Sequence, residues 1–93
     1  MARIALSETQ IADGLTGLPG WSFDGKQIVK EFAFDSYASG VMFASAVGQL
    51  ADRMDHHPDL FIGYRKVKVG LNTHDVNGVS ELDFELAARI AQL

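Results

Sequence analysis

The chain has no cysteine, which removes disulfides and thiolate metal sites from the ways it could be stabilised. Its 93 residues must bury their own core, near the lower end of what one domain manages unaided. A single domain over residues 1–93 is expected, with self-association as a natural source of further burial. No apolar run approaches the roughly 18 residues of a membrane span. The opening residues meet an acid, Glu8, too soon to read as a secretory signal, so the cytoplasm is the expected home. Basic runs are missing as well: eight bases are scattered among twelve acids for a net charge of −4. Direct nucleic-acid binding, which needs clustered Lys and Arg, is disfavoured. The nine glycines are dispersed, giving no phosphate-binding loop, and neither a GxSxG elbow nor a cysteine nucleophile is present. What remains is an ordinary globular composition, 47% apolar and 22% charged, with one uneven allocation. All three histidines fall between Asp52 and Asp83.

Local signals divide the chain into seven elements. Ser7-Glu8-Thr9-Gln10 reads as a capping box that opens a short helix. Its Ile11, Leu15 and Leu18 keep helical spacing until Gly17, Pro19 and Gly20 end it. Asp24-Gly25 predicts a two-residue turn between strands over 21–23 and 26–34, placing Phe23 opposite Lys26 and Trp21 opposite Ile28. Trp21, Phe23, Ile28, Phe32 and Phe34 then share the core face, and Lys26 and Lys30 on the same parity predict a bulge or a strand edge. Asp35 or Ser36 caps a long helix over 37–54, where Phe43, Val47, Leu50 and Met54 recur at steps of three and four with Val41 and Ala46 beside them. Gly40, Ala44, Ala46, Gly48 and Ala51 are small enough for one face of this helix to approach a neighbour closely. Pro58 forbids its continuation. Residues 60–64 and the alternating Val67, Val69, Leu71 and Thr73 predict two strands, or one bent strand, with His74 at the end. A loop over 75–79 leads to Ser80, the cap of a last helix carrying Leu82, Leu86, Ile90 and Leu93. The order α-β-β-α-β-β-α predicts an α+β fold, a four-stranded antiparallel sheet with three helices on one face.

An imidazole with an ordinary pKa of about 6.5 keeps both protonation states within reach at neutral pH. His56 and His57 follow the end of the long helix, and a helix C-terminus with acids nearby is an environment for a general acid. Adjacent side chains diverge there, so the two cannot face the same solvent. One of them can look toward the strand end, where His74 beside Asp75 could act as its partner or orient a substrate. Each histidine also has a plain structural reading, as a helix cap before proline or as a loop residue. Three imidazoles with Asp52 could instead hold a metal, but adjacent histidines chelate one ion poorly and acid/base work ranks above it. Asp55 and Asp59 read as solvated charges, and Asp83 as an acid of the last helix's first turn. Spacing alone stops at an acid/base site made by His56, His57 and His74, and gives no substrate.

At these residues the sequence resembles the pterin-4a-carbinolamine dehydratase family. The shared pattern is Asp52, three residues, then His56-His57-Pro58-Asp59, an aromatic Tyr64, Thr73-His74-Asp75, and Gly78 followed by Ser80-Glu81-x-Asp83-Phe84. It covers the second half of the chain closely, and Trp21 with the hairpin agrees loosely before that. The resemblance implies the same fold and the loss of water from 4a-hydroxytetrahydropterin to give the quinonoid dihydropterin, the recycling step after aromatic amino-acid hydroxylation. No metal or added cofactor is implied, since the pterin is the substrate. His56, His57 and His74 match the family's catalytic imidazoles, and Asp52, Pro58, Leu60 and Asp83 are implied at the pterin. Expelling a hydroxyl needs a proton donor and losing a ring-nitrogen proton needs a base, so two imidazoles of different protonation suit the reaction. His56 or His57 is expected as the acid, with His74 as its partner.

Two departures from the family pattern bear on activity. Leu60 stands where the family has Trp, losing a flat surface and a hydrogen-bond donor. Asp52 stands where the family has Glu, one methylene longer. Both leave room for a member of low activity that binds a pterin or a protein. By resemblance the chain forms a homodimer or homotetramer. Relatives that act as dimerisation partners of transcription regulators make the helix over 36–54 a candidate protein-binding surface.

Overall fold

Each helix begins where a short side chain captures amides that have no partner within the helix. The computed structural model describes residues 3–93. Ser7 accepts from the Gln10 amide at 3.2 Å while Gln10 accepts from the Ser7 amide at 2.8 Å, opening α1 (Glu8–Leu15). Ser36 accepts from the Ser39 amide at 3.1 Å and opens α2 (Tyr37–Arg53). Ser80, reciprocated by Asp83, opens α3 (Glu81–Ile90). Between the helices lie β1 (Ser22–Phe23), β2 (Ile28–Ala33), β3 (Asp59–Gly63) and β4 (Lys66–Leu71), followed by a one-turn 3-10 helix, His74–Val76. The strands form one antiparallel sheet in the order β1-β2-β4-β3.

β4 carries the clearest alternation. Val67, Val69 and Leu71 are fully buried beneath the helices, whereas Lys66 and Lys68 face solvent, so one face of the sheet is covered and the other open. α2 lies on the covered face through Gly40, Ala44, Val47 and Ala51, all buried. Small residues there bring the helix close: a Cβ on Gly40 would stand 3.3 Å from Val67 Cγ2. Phe43, Leu50 and Met54 flank that line half-buried, and Val41 is exposed. Phe43 packs between Phe32 and Phe34, with ring centroids 4.7 and 5.1 Å away.

The first hairpin differs from its expected register. Phe23 pairs with Ile28 and Ser22 with Val29, so the connection is the four residues 24–27 rather than the two residues Asp24-Gly25. The cause is the Asp24 carboxylate, which accepts from the amides of Lys26 and Gln27 at 2.9 and 2.8 Å and folds both into the loop. Those amides, Gln27 first, hold the Asp24 carboxyl below the usual aspartate range. The shift is two residues, so every side chain keeps its face. At Lys30 there is no bulge, but β1 has ended at its pairing with Val29, so from Lys30 onward β2 is a strand edge on that side. On the other side Lys30 pairs with Val69, and its ammonium reaches the Pro19 carbonyl at 3.1 Å.

β3 and β4 are separate strands joined at Tyr64-Arg65, with Arg65 in the left-handed region at φ 61. β4 stops at Leu71, before Thr73. Thr73 instead bridges Gly78 and closes the short turn that carries His74, so His74 is not a strand-end residue. Leu93 lies beyond α3 and is exposed, outside the buried stripe of Leu82, Leu86 and Ile90. Among the described residues no helix is long and apolar enough to cross a membrane.

Candidate active site

α2 ends by a reversal that sends its two following histidines in opposite directions. The Asp55 amide donates to the Asp52 carbonyl at 3.0 Å and the His56 amide to the Ala51 carbonyl at 2.9 Å, with Asp55 in the left-handed region at φ 53. Beyond this stop the chain turns under the helix, and Pro58 keeps it from resuming one.

His56 goes inward. It is 3% exposed, and its Nε2 lies 2.5 Å from Asp83 Oδ1. Asp83 has no exposed surface, and its Oδ2 accepts from Thr73 Oγ1 and from the Ser80 amide, both at 2.9 Å. The hydroxyls of Thr73 and Ser80 are 2.7 Å apart. One carboxylate therefore ties together the exit of α2, the turn after β4 and the start of α3. Among the described residues every buried side-chain nitrogen and oxygen has a partner, as a polar cluster in a low-dielectric interior requires. With Asp83 ionised, its carboxylate can only accept; the His56 proton then sits on Nε2, and Nδ1 is the basic nitrogen of the neutral ring.

His57 goes outward. Its Nε2 is 3.3 Å from Asp52 Oδ1, and the two side chains are 65% and 77% exposed. Both histidines border one cleft of about 370 Å³, with Asp52, Pro58, Leu60, Ser45, Gly48 and Gln49. A larger hollow of about 650 Å³ between α1 and α3 is lined by Asp13, Glu81, Glu85 and Phe84 among others, but by no imidazole. Of these two hollows, only the smaller brings imidazoles to its wall.

The cleft gathers five of the residues named from sequence: His56, His57, Asp52, Pro58 and Leu60. His74 is not among its lining residues and stands exposed on the 3-10 turn. Asp83 is also absent from the wall. A carboxylate with no exposed surface cannot meet a ligand there, so its expected substrate contact gives way to a supporting place behind His56. Asp55 forms the helix stop, and Asp59 accepts from Gln27 Nε2 at 2.7 Å. Among the described residues no three His, Cys, Asp or Glu side chains gather closely enough to hold a metal ion.

Residues 4–93 match the family described as pterin 4 alpha carbinolamine dehydratase. The chain belongs to this family. It is 43% identical over 88 residues to a protein of Metallosphaera sedula, covering 95% of this chain and 92% of that one. It is 44% identical over 88 residues to one of Sulfurisphaera tokodaii, covering 95% of each. Both bear the provisional name pterin-4-alpha-carbinolamine dehydratase. Among solved structures, a transcriptional coactivator/pterin dehydratase from Brucella melitensis superposes with a TM-score of 0.87 at 34% identity, covering 95% of this chain and 96% of that one. A pterin dehydratase-like protein identified as a RuBisCO assembly factor of the alpha-carboxysome gives 0.66 at 29% identity, covering 78% and 87%.

In this family member three cleft residues, Ser45, Gly48 and Gln49, have no place in the site expected from sequence, Gly48 counting only as a small residue of the long helix, although a signal was there. Counting back three, four and seven residues from Asp52 traces one side of a helix and names all three. Thr73 and Ser80 are different. The capping role of Ser80 is local and readable, whereas the Thr73 contact with Asp83 joins a bridge to a helix start and has no local signature.

Proposed function

We propose that this protein removes water from a 4a-hydroxytetrahydropterin by histidine acid/base catalysis. The observation that carries the reading is two aspartate-paired imidazoles on one cleft, one buried and one exposed. The reaction needs such a pair. A proton must reach the 4a-hydroxyl as its bond to carbon breaks, and a ring-nitrogen proton must leave as the carbon–nitrogen double bond forms, so that one water departs overall. His57, open to solvent for reprotonation, is assigned the acid. His56, with Nε2–H committed to Asp83, is assigned the base through Nδ1. This arrangement replaces His74 as the expected partner, because His74 lies off the cleft wall. Leu60 supplies an aliphatic wall for the pterin ring, and Asp52 orients His57. The test is the rate of 4a-hydroxytetrahydropterin dehydration by the natural protein and by His57→Ala. Acceleration that disappears in a folded His57→Ala supports the reading, and no acceleration by the natural protein sinks it.

A second reading has its own observation. α2 turns Tyr37, Val41 and Met42 to solvent, and β3 and its turn expose Phe61, Ile62 and Tyr64. Exposed apolar groups of this size suit association, either in a homodimer or homotetramer or with another protein. The coactivator and assembly-factor descriptions of the two structural relatives are consistent with the protein partner. Met42→Asp separates the readings: it should lower oligomer mass in light scattering while leaving the cleft residues intact.

A further inference from the structure

The histidines sit on two turns from distant parts of the chain. His56 and His57 follow the stop of α2, and His74 opens the 3-10 turn after β4. A third segment touches both. The Leu6 amide donates to the Val79 carbonyl at 2.8 Å and lays the chain ahead of α1 along the molecule's edge. Three residues earlier, Arg3 spans the two turns with one guanidinium. Its Nη2 donates to the Asp55 carbonyl at 3.0 Å, and its Nη1 lies 3.4 Å from Asp75 Oδ2. Asp55 is the residue before His56, and Asp75 is the residue after His74. Each end of the fork thus falls one residue from an imidazole. The Asp55 carbonyl also belongs to the C-terminal stop of α2, where the helix's partial negative charge favours a cation.

We infer that Arg3 is a positioning residue that anchors the turn bearing His56 and His57 to the turn after β4. The inference rests on the dehydratase reading for its catalytic consequence, though not for its geometry. A planar guanidinium holds two acceptors in fixed directions, which a lysine ammonium does not. An ion pair with side chains 30% and 65% exposed adds little to folding stability, whereas catalysis responds to small displacements of the acting groups. Arg3 therefore acts on rate more than on fold.

The experiment pairs kinetics with NMR on the 93-residue chain. Arg3→Ala is expected to lower kcat roughly tenfold with KM changed by less than about twofold, and with an unchanged melting temperature. Arg3→Lys should recover only part of the loss. Asp75→Asn should lower kcat no more than Arg3→Ala does, and the double variant Arg3→Ala/Asp75→Asn no further than Arg3→Ala, because Asp75 acts on the His56–His57 turn through Arg3. Independently of activity, Arg3→Ala should shift the resonances of the His56 amide and of the His57 and His74 rings together. An unchanged kcat, additive losses in the double variant, or a shift confined to one turn overturns the inference. If the natural protein does not dehydrate the pterin yet both turns shift in Arg3→Ala, the clamp stands and the dehydratase reading falls.

Discussion

The two histidine–aspartate pairs use the same side chains and neighbouring backbone, yet they are opposite kinds of interaction. His56–Asp83 is sealed, at 2.5 Å with 3% and 0% exposure. His57–Asp52 is open, at 3.3 Å with 65% and 77% exposure. In the sealed pair the charge has lost its water and must be repaid by hydrogen bonds, which Thr73 and the Ser80 amide supply. In the open pair solvent screens the attraction, and the ring is free to exchange protons. Burial thus divides one dipeptide, His56-His57, into a fixed group and an exchanging one. That division is what an elimination needs when a base and an acid must be in different states at the same moment.

The contrast is broken most forcefully at Asp83. Asp83→Ala leaves the His56 donor, the Thr73 hydroxyl and the Ser80 amide without their shared acceptor, and should cost about 3–5 kcal/mol in urea unfolding. A loss near zero would mean that the sealed pair holds nothing together. His57→Ala should show the reverse profile. Stability should stay within about 0.5 kcal/mol, while kcat/KM for the proposed dehydration falls by about 10²–10⁴-fold. Asp52→Asn is milder, with under about 1 kcal/mol of stability and an effect that shrinks as salt is raised, since exposed charges are screened. Salt insensitivity there would move the open pair toward the sealed class.

Asp24 sharpens the comparison as the smallest case, an exposed carboxylate held by two backbone amides rather than by an imidazole. Its folded pKa is lowered, so its contribution to stability is fully present above the ordinary aspartate value and is lost as pH falls through the lower folded value. Thermal unfolding of Asp24→Asn should therefore lose part of the natural protein's decline in acid, and match it in slope near neutrality. An unaltered acid limb would show that the loop amides do not favour the ionised form.

What could be read from sequence follows the range of the interactions. The capping box of Ser7 and Gln10 and the cap at Ser80 each act within three residues and formed as expected; the reciprocal bond from the Ser80 amide to Asp83 adds to the second. Pro58 and the helical spacing of Val47, Leu50 and Met54 placed the end of α2, and with it the two diverging histidines. The α+β order survived because each element had its own periodicity. The register of the first hairpin was lost because Asp24 bonds through its side chain, an option that the Asp-Gly signal does not exclude. The position of His74 was lost because Thr73 closes on Gly78 rather than extending β4. Asp83 is an acid of the first turn of α3, as its position predicts, and one of its oxygens also caps the Ser80 amide. Its second oxygen meets His56 across 27 residues, and no local pattern announces that.

The most direct measurement is the tautomer of His56 in the folded natural protein, by ¹⁵N NMR of the imidazole at a pH where the ring is neutral. The expected spectrum has the proton on Nε2, facing Asp83, and a bare Nδ1 able to act as a base. A proton on Nδ1 would contradict it, since Asp83 would then face an unprotonated nitrogen and the sealed pair could not supply the base.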